Sequence, residues 1–173
     1  MVPVPWSHVS SWRCTGCGIC CRRFDVVLKF NEWLRLVQTY GIGVTTAGLD
    51  RLYLGKKPDG SCVFLSSTGN VCFCGLQGMK PLACKLWPFK IVDKPRYGMA
   101  NEAAYDYRGR RLYVYVDPFC PETRLGKPTP MMVHGVIPEF IEIALGLKEK
   151  QFYSTAAPLY DLYPKTNRDY KLI

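Results

Sequence analysis

The chain has 173 residues, 48% of them hydrophobic and 21% charged, which is enough to bury a core and excludes global disorder. Its 23 basic and 14 acidic residues leave a net charge of +9, which fits cations offsetting a negative site or a polyanionic partner such as RNA. No run of about 18 apolar residues occurs and the opening Met1-Val2-Pro3-Val4-Pro5-Trp6 lacks a secretory pattern, so a cytoplasmic protein without membrane insertion is expected.

In chain order, residues 1–12 hold two prolines and no hydrophobic periodicity, and read as an irregular lead-in ending at Trp12. Cys14-Thr15-Gly16-Cys17-Gly18-Ile19-Cys20-Cys21 then packs four of the nine cysteines into eight residues. Gly16 and Gly18 permit the tight turns that aim several sulfurs inward. Residues 25–30 predict a short strand. Asn31 as N-cap, Glu32 in the first turn, and Trp33, Leu34, Val37 and Tyr40 at helical spacing predict a helix closed by Gly41. A weaker helix is predicted over 47–54, ahead of a turn at Lys57-Pro58-Asp59-Gly60. Two strands, 62–65 and 71–74, are predicted around a 66–70 turn, and 76–87 holds one helical turn interrupted by Gly78 and Pro81. Three more strands are predicted at 89–92, 97–103 and 111–116, the last with Leu112, Val114 and Val116 on one face. Thr129-Pro130 signals a helix start, and Pro138 opens a helix over 139–147. The tail, 151–173, carries Tyr153, Tyr160, Tyr163 and Tyr170 and reads as an arm lying across the body.

This pattern predicts an α+β fold: a small irregular antiparallel sheet with a few short helices, organised around a cysteine-ligated metal centre. Residues 1–125 are expected to form the cysteine-cluster metal-binding domain, with the 126–173 helix and tyrosine-rich tail packing on it.

Nine cysteines at short spacings argue against disulfides, which would leave a thiol over, and against scattered inert thiols. Metal ligation fits better. Cys14, Cys17 and Cys20 form a Cys-x2-Cys-x2-Cys loop, whereas one structural zinc usually takes two separated Cys-x2-Cys knuckles. The bacterial ferredoxin run has the same three-cysteine spacing and a further Cys-Pro pair, which Cys120-Pro121 matches. An iron–sulfur cluster, [4Fe–4S], is therefore expected ahead of Zn²⁺, although eight ligands would also fill two zinc sites. Adjacent Cys20 and Cys21 are expected to point apart and not to share one small ion. Arg22, Arg23, Lys80 and Lys85 lie beside cysteines and would offset thiolate charge. Trp12, Phe24, Phe64, Phe73, Trp87, Phe89 and Phe119 lie close to cysteines and would form a dry shell or simply core.

The chain resembles the Cys-x2-Cys-x2-Cys-Cys family, described as zinc- or iron-chelating, over roughly residues 14–120. Cys14, Cys17, Cys20, Cys21 and Arg22 match its opening motif, and Gly60-Ser61-Cys62-Val63-Phe64-Leu65 its next segment. Cys74 leads to Lys80-Pro81-Leu82-Ala83-Cys84-Lys85-Leu86-Trp87-Pro88-Phe89, similar to the family's Arg-Pro-x-x-Cys-Arg-x-Phe-Pro-Phe signature, and Cys120 is the last cysteine. The resemblance implies Cys14, Cys17, Cys20, Cys21, Cys62, Cys74, Cys84 and Cys120 as metal ligands, and leaves Cys72 spare. Lys80 and Lys85 stand where the family has arginine, which keeps the charge without the bidentate fork.

Two functions follow as expectations. In one, the metal centre works in redox chemistry or group transfer. Flagellin lysine N-methylases are larger proteins with a similar cysteine pattern, but no Gly-rich nucleotide loop occurs here. In the other, zinc is structural and the basic surface contacts RNA or a protein assembly. Neither residue pattern decides whether the chain is an enzyme. Of the two histidines, His134 is expected to pack and His8 to lie in the lead-in.

Overall fold

A computed structural model describes residues 2–69 and 71–153. The fold is α+β. Its main sheet is antiparallel and centres on Arg110–Val116, flanked by Val4–Pro5 and Phe89–Val92, with Ala104–Tyr107 folding back on the same strand. Leu112, Val114 and Val116 alternate along the central strand and are buried, as the period of two requires. Tyr115, on the opposite face, is buried too: Tyr97 packs edge-on at 5.1 Å and its hydroxyl donates to the Gly98 carbonyl at 2.8 Å.

Against this sheet lies the helix Ile137–Ala144, continued from a π-helical turn at Met132–Val136. Its Ile137, Phe140 and Ile141 are fully buried with Val9, Trp12 and Phe89, forming the first core. Glu139, also buried, accepts hydrogen bonds from the backbone N–H groups of Phe152 and Tyr153 and from Lys148 Nζ at 3.2 Å, which ties down the chain beyond the helix.

A second, smaller core joins Leu28, Leu36, Leu54, Leu65 and Leu76. The helix Phe30–Tyr40 covers it, together with the three-stranded sheet of Val27–Leu28, Leu52–Leu54 and Thr45–Ala47 and the hairpin Leu65–Thr68/Val71–Cys74. Cys14 and Cys120 belong to the first core, whereas Cys21, Cys62, Cys72 and Cys74 belong to the second. The sulfurs thus lie along the seam between the two.

Several local expectations change. The 47–54 segment is not a helix but two strands, because Gly48 turns the chain and its N–H donates to the Arg51 carbonyl at 2.8 Å. The 97–103 strand is replaced by a bend and the helical turn Ala100–Ala103, with Gly98 and Met99 both at positive φ. The N-cap expected at Asn31 lies two residues earlier, at Lys29, so the helix starts at Phe30, and the Glu32 carboxylate accepts the Lys29 N–H at 2.8 Å. The strand predicted at 62–65 begins only at Leu65, Cys62 making a single bridge to Lys56. His134 is exposed, not packed, because it lies on the outer side of the π-helical turn. Tyr160, Tyr163 and Tyr170 lie outside the described residues.

Candidate metal centre

The Cys14–Cys21 loop is shaped by two close approaches. Gly16 and Gly18 have φ of +69° and +71°, and a Cβ at either would meet Cys72: its carbonyl oxygen at 2.8 Å or its Sγ at 2.6 Å. The Cys72 N–H donates to the Gly16 carbonyl at 2.7 Å, so the loop lies flat on the Val71–Cys74 strand. Gly18→Ala adds both left-handed strain and a clash with Cys72 Cβ, and is expected to cost about 2 kcal/mol or more, read as a lowered urea midpoint.

The remaining sulfurs arrive from separate elements. Cys20 and Cys21 sit on the short helix Ile19–Arg23, and their Sγ atoms are 3.9 Å apart. The expectation that they point away from each other is therefore wrong: the side-chain torsions of these neighbouring residues bring their sulfurs together. Their spacing matches the edge of a zinc–sulfur tetrahedron, about 3.8 Å for Zn–S bonds of about 2.3 Å. The Cys62 N–H donates to the Cys21 carbonyl at 2.8 Å, fixing the segment around Cys62 beside the loop. Cys84 lies on the helix Leu82–Leu86, whose first N–H is held at 2.7 Å by Glu32 of the long helix. Glu32 thus both caps its own helix and positions the Cys84 helix, a role that nothing local in the sequence signals.

Several sulfurs accept hydrogen bonds of the kind that stabilise a thiolate, Cys14 from the Gly16 backbone and Cys62 from the Phe64 backbone among them. Trp12 Nε1 donates to Cys120 Sγ at 3.3 Å, and the Leu76 N–H to Cys74 Sγ at 3.4 Å. Arg22 donates to Cys72 Sγ with both terminal guanidinium nitrogens, at 3.7 and 3.6 Å.

All nine cysteines, Cys72 included, line one cavity of about 520 Å³. Trp12, Phe24, Phe73, Trp87, Phe89 and Phe119 line it as well, whereas Phe64 packs on Tyr40 instead. Neither histidine reaches it. Among the described residues, no three Cys, His, Asp or Glu side chains meet as they stand at the spacing of a single metal ion.

Electrostatics group the sulfurs further. Burial is the leading cause that raises the Cys14, Cys62, Cys74 and Cys84 thiols; for Cys21 the hydrogen bond with Cys20 leads and burial follows. Cys84 is pushed up additionally by Cys74, Cys21 and Cys62, Cys62 by Cys21 and Cys74, and Cys74 by Cys21. Every pair within Cys21, Cys62, Cys74 and Cys84 therefore interacts. Cys14 is pushed up instead by Cys120 and Cys17. Lys80 opposes these effects at Cys14, Cys21, Cys74 and Cys84, and is itself only 8% exposed.

Raised thiols have a consequence for the metal-free protein. Unfolded cysteines ionise near pH 8.5, whereas the buried ones stay protonated to higher pH, so their contribution to stability is complete below about pH 8.5 and is lost above it. Thermal melts in chelator and reductant are expected to fall as pH rises past that value. Soft thiolates without imidazole suit zinc or an iron–sulfur cluster, not magnesium or calcium, so the donor set fits the implied group.

No curated protein and no solved structure matches the chain. The CxxCxxCC family model, described as a zinc- or iron-chelating domain, matches residues 13–121 and so takes in all nine cysteines; the chain belongs to this family.

Proposed function

We propose that Cys14, Cys17, Cys20, Cys21, Cys62, Cys74, Cys84 and Cys120 are metal ligands, with a [4Fe–4S] cluster on Cys14, Cys17, Cys20 and Cys120. The interacting quartet Cys21, Cys62, Cys74 and Cys84 forms a second four-sulfur position. One observation carries this reading: sulfurs from both cores line a single cavity walled by aromatic rings. When bound, such a cluster supplies one-electron transfer or an iron corner for group transfer. The chain's own residues exclude water through Trp12, Phe89 and Phe119, donate to sulfur through Trp12 and Leu76, and supply a buried cation through Lys80. Protein purified without oxygen is expected to be brown and to contain about four iron and four sulfide per chain.

The 3.9 Å Cys20–Cys21 spacing favours a second reading, a structural zinc module whose basic surface contacts RNA or a protein assembly. Colourless protein with stoichiometric zinc and no sulfide would establish it in place of the first. RNA binding that falls steeply with added salt would then assign the +9 charge to phosphate contact.

A further inference from the structure

A second cavity, of about 370 Å³, shares Lys80 with the cysteine cavity and no other described residue. Its size falls within that of small-molecule sites, about 300–1,000 Å³. Three elements wall it. Lys29, Glu32 and Arg35 recur every third residue from the N-cap of the helix Phe30–Tyr40 and so share one side of it. Leu82 and Lys85 do the same on the helix Leu82–Leu86, with Lys80 just ahead of it. The Glu32 carboxylate joins these two walls directly, accepting the Leu82 N–H at 2.7 Å with one oxygen and the Lys29 N–H at 2.8 Å with the other. Residues 143–146, where the helix Ile137–Ala144 ends, close the third side.

Four cations, Lys29, Arg35, Lys80 and Lys85, face the one carboxylate of Glu32 in these walls. Among the described residues, Lys29, Arg35 and Lys85 form no ion pair. Lys80 is only 8% exposed, so burial holds one of the cations in place ahead of any ligand. Like charges gathered round a concavity repel one another and focus a positive potential into it. A phosphate monoester, with a charge of about −1.5 to −2 and three strong acceptor oxygens, answers that excess better than a carboxylate or a diester of charge −1. No aromatic ring lines the cavity among the described residues, so nothing there stacks a nucleobase.

We propose that this cavity binds a dianionic phosphate group, carried by a small polar monoester or as the free ion, with Lys29, Arg35, Lys80 and Lys85 as its donors. The proposal goes beyond the metal reading and stands without it. The probe is 2-glycerophosphate, titrated by calorimetry into the full chain at about pH 7.5, where the monoester is doubly charged. Inorganic phosphate and dimethyl phosphate, a singly charged diester like the links of RNA, are titrated beside it, and metal content is measured on every sample.

Saturable one-site binding of 2-glycerophosphate is expected, with dimethyl phosphate roughly tenfold weaker. Tighter binding of the ester than of inorganic phosphate identifies a monoester as the ligand and the reverse identifies the free ion; both uphold the site. Arg35→Gln and Lys29→Gln, exposed side chains that line no part of the cysteine cavity, are each expected to weaken the ester about tenfold at unaltered metal content. Lys127→Gln removes an exposed cation that lines neither cavity and is expected to change nothing. Absence of binding, equal weakening by Lys127→Gln and Arg35→Gln, or dimethyl phosphate bound as tightly as the monoester overturns the proposal, the last in favour of an RNA backbone. Phosphate binding by protein that holds no metal upholds the site and counts against the metal reading alone.

Discussion

On the ligand set proposed above, replacing Cys84 with serine is expected to lower the protein's metal content and its melting temperature by about 10 °C or more. The argument begins with the donor: a serine oxygen is a hard, weakly acidic ligand, where thiolate sulfur is soft and binds zinc and iron strongly. Cys84 interacts with all three other members of its set, so its loss opens the arrangement from one side. Metal binding is folding energy where ligands come from distant segments, about 10–16 kcal/mol for structural zinc in small peptides. Even a third of that, at about 2–4 °C per kcal/mol for a chain of this size, gives the stated fall. Cys72→Ser is the control. Cys72 lines the cavity but contacts Arg22, and its replacement is expected to leave metal content unchanged. Metal analysis and calorimetry on both variants check the pair.

Phe140→Ala is expected to cost about 3–5 kcal/mol, since the ring is fully buried and its removal leaves a cavity. Its ring packs on Phe89 at 4.1 Å and on Trp12 at 5.3 Å. Trp12 in turn donates to Cys120 Sγ, so the same change is expected to loosen the Cys120 sulfur and speed metal release to a chelator. Phe152→Ala, at a ring 65% exposed, is expected to do neither. Denaturant melts give the first quantity and chelator kinetics the second.

The convergence of the cysteines on one cavity was legible because so many residues of an otherwise rare type recur at short, regular spacings. The long helix was legible for the same kind of reason: apolar residues recur over three turns and Gly41 ends them. The Arg110–Val116 strand showed its buried face by alternation. What failed was short. Residues 47–54 and 97–103 are decided by turns, at Gly48 and at Gly98-Met99, whose geometry depends on neighbours far along the chain. The proximity of Cys20 to Cys21 depends on side-chain torsions, which spacing does not encode. Glu32 acting on Leu82, fifty residues away, left no local mark either. Lys80 was legible as a cation near sulfur, but not as a buried one serving cysteines from both groups.

The seam between the two cores carries one more consequence. With sulfurs drawn from each side, an inorganic centre bound there as proposed would work like a rivet through two plates. Pull the rivet with a chelator, and a single sharp calorimetric transition is expected to split into two, the smaller plate of Leu28, Leu36 and Leu54 melting first.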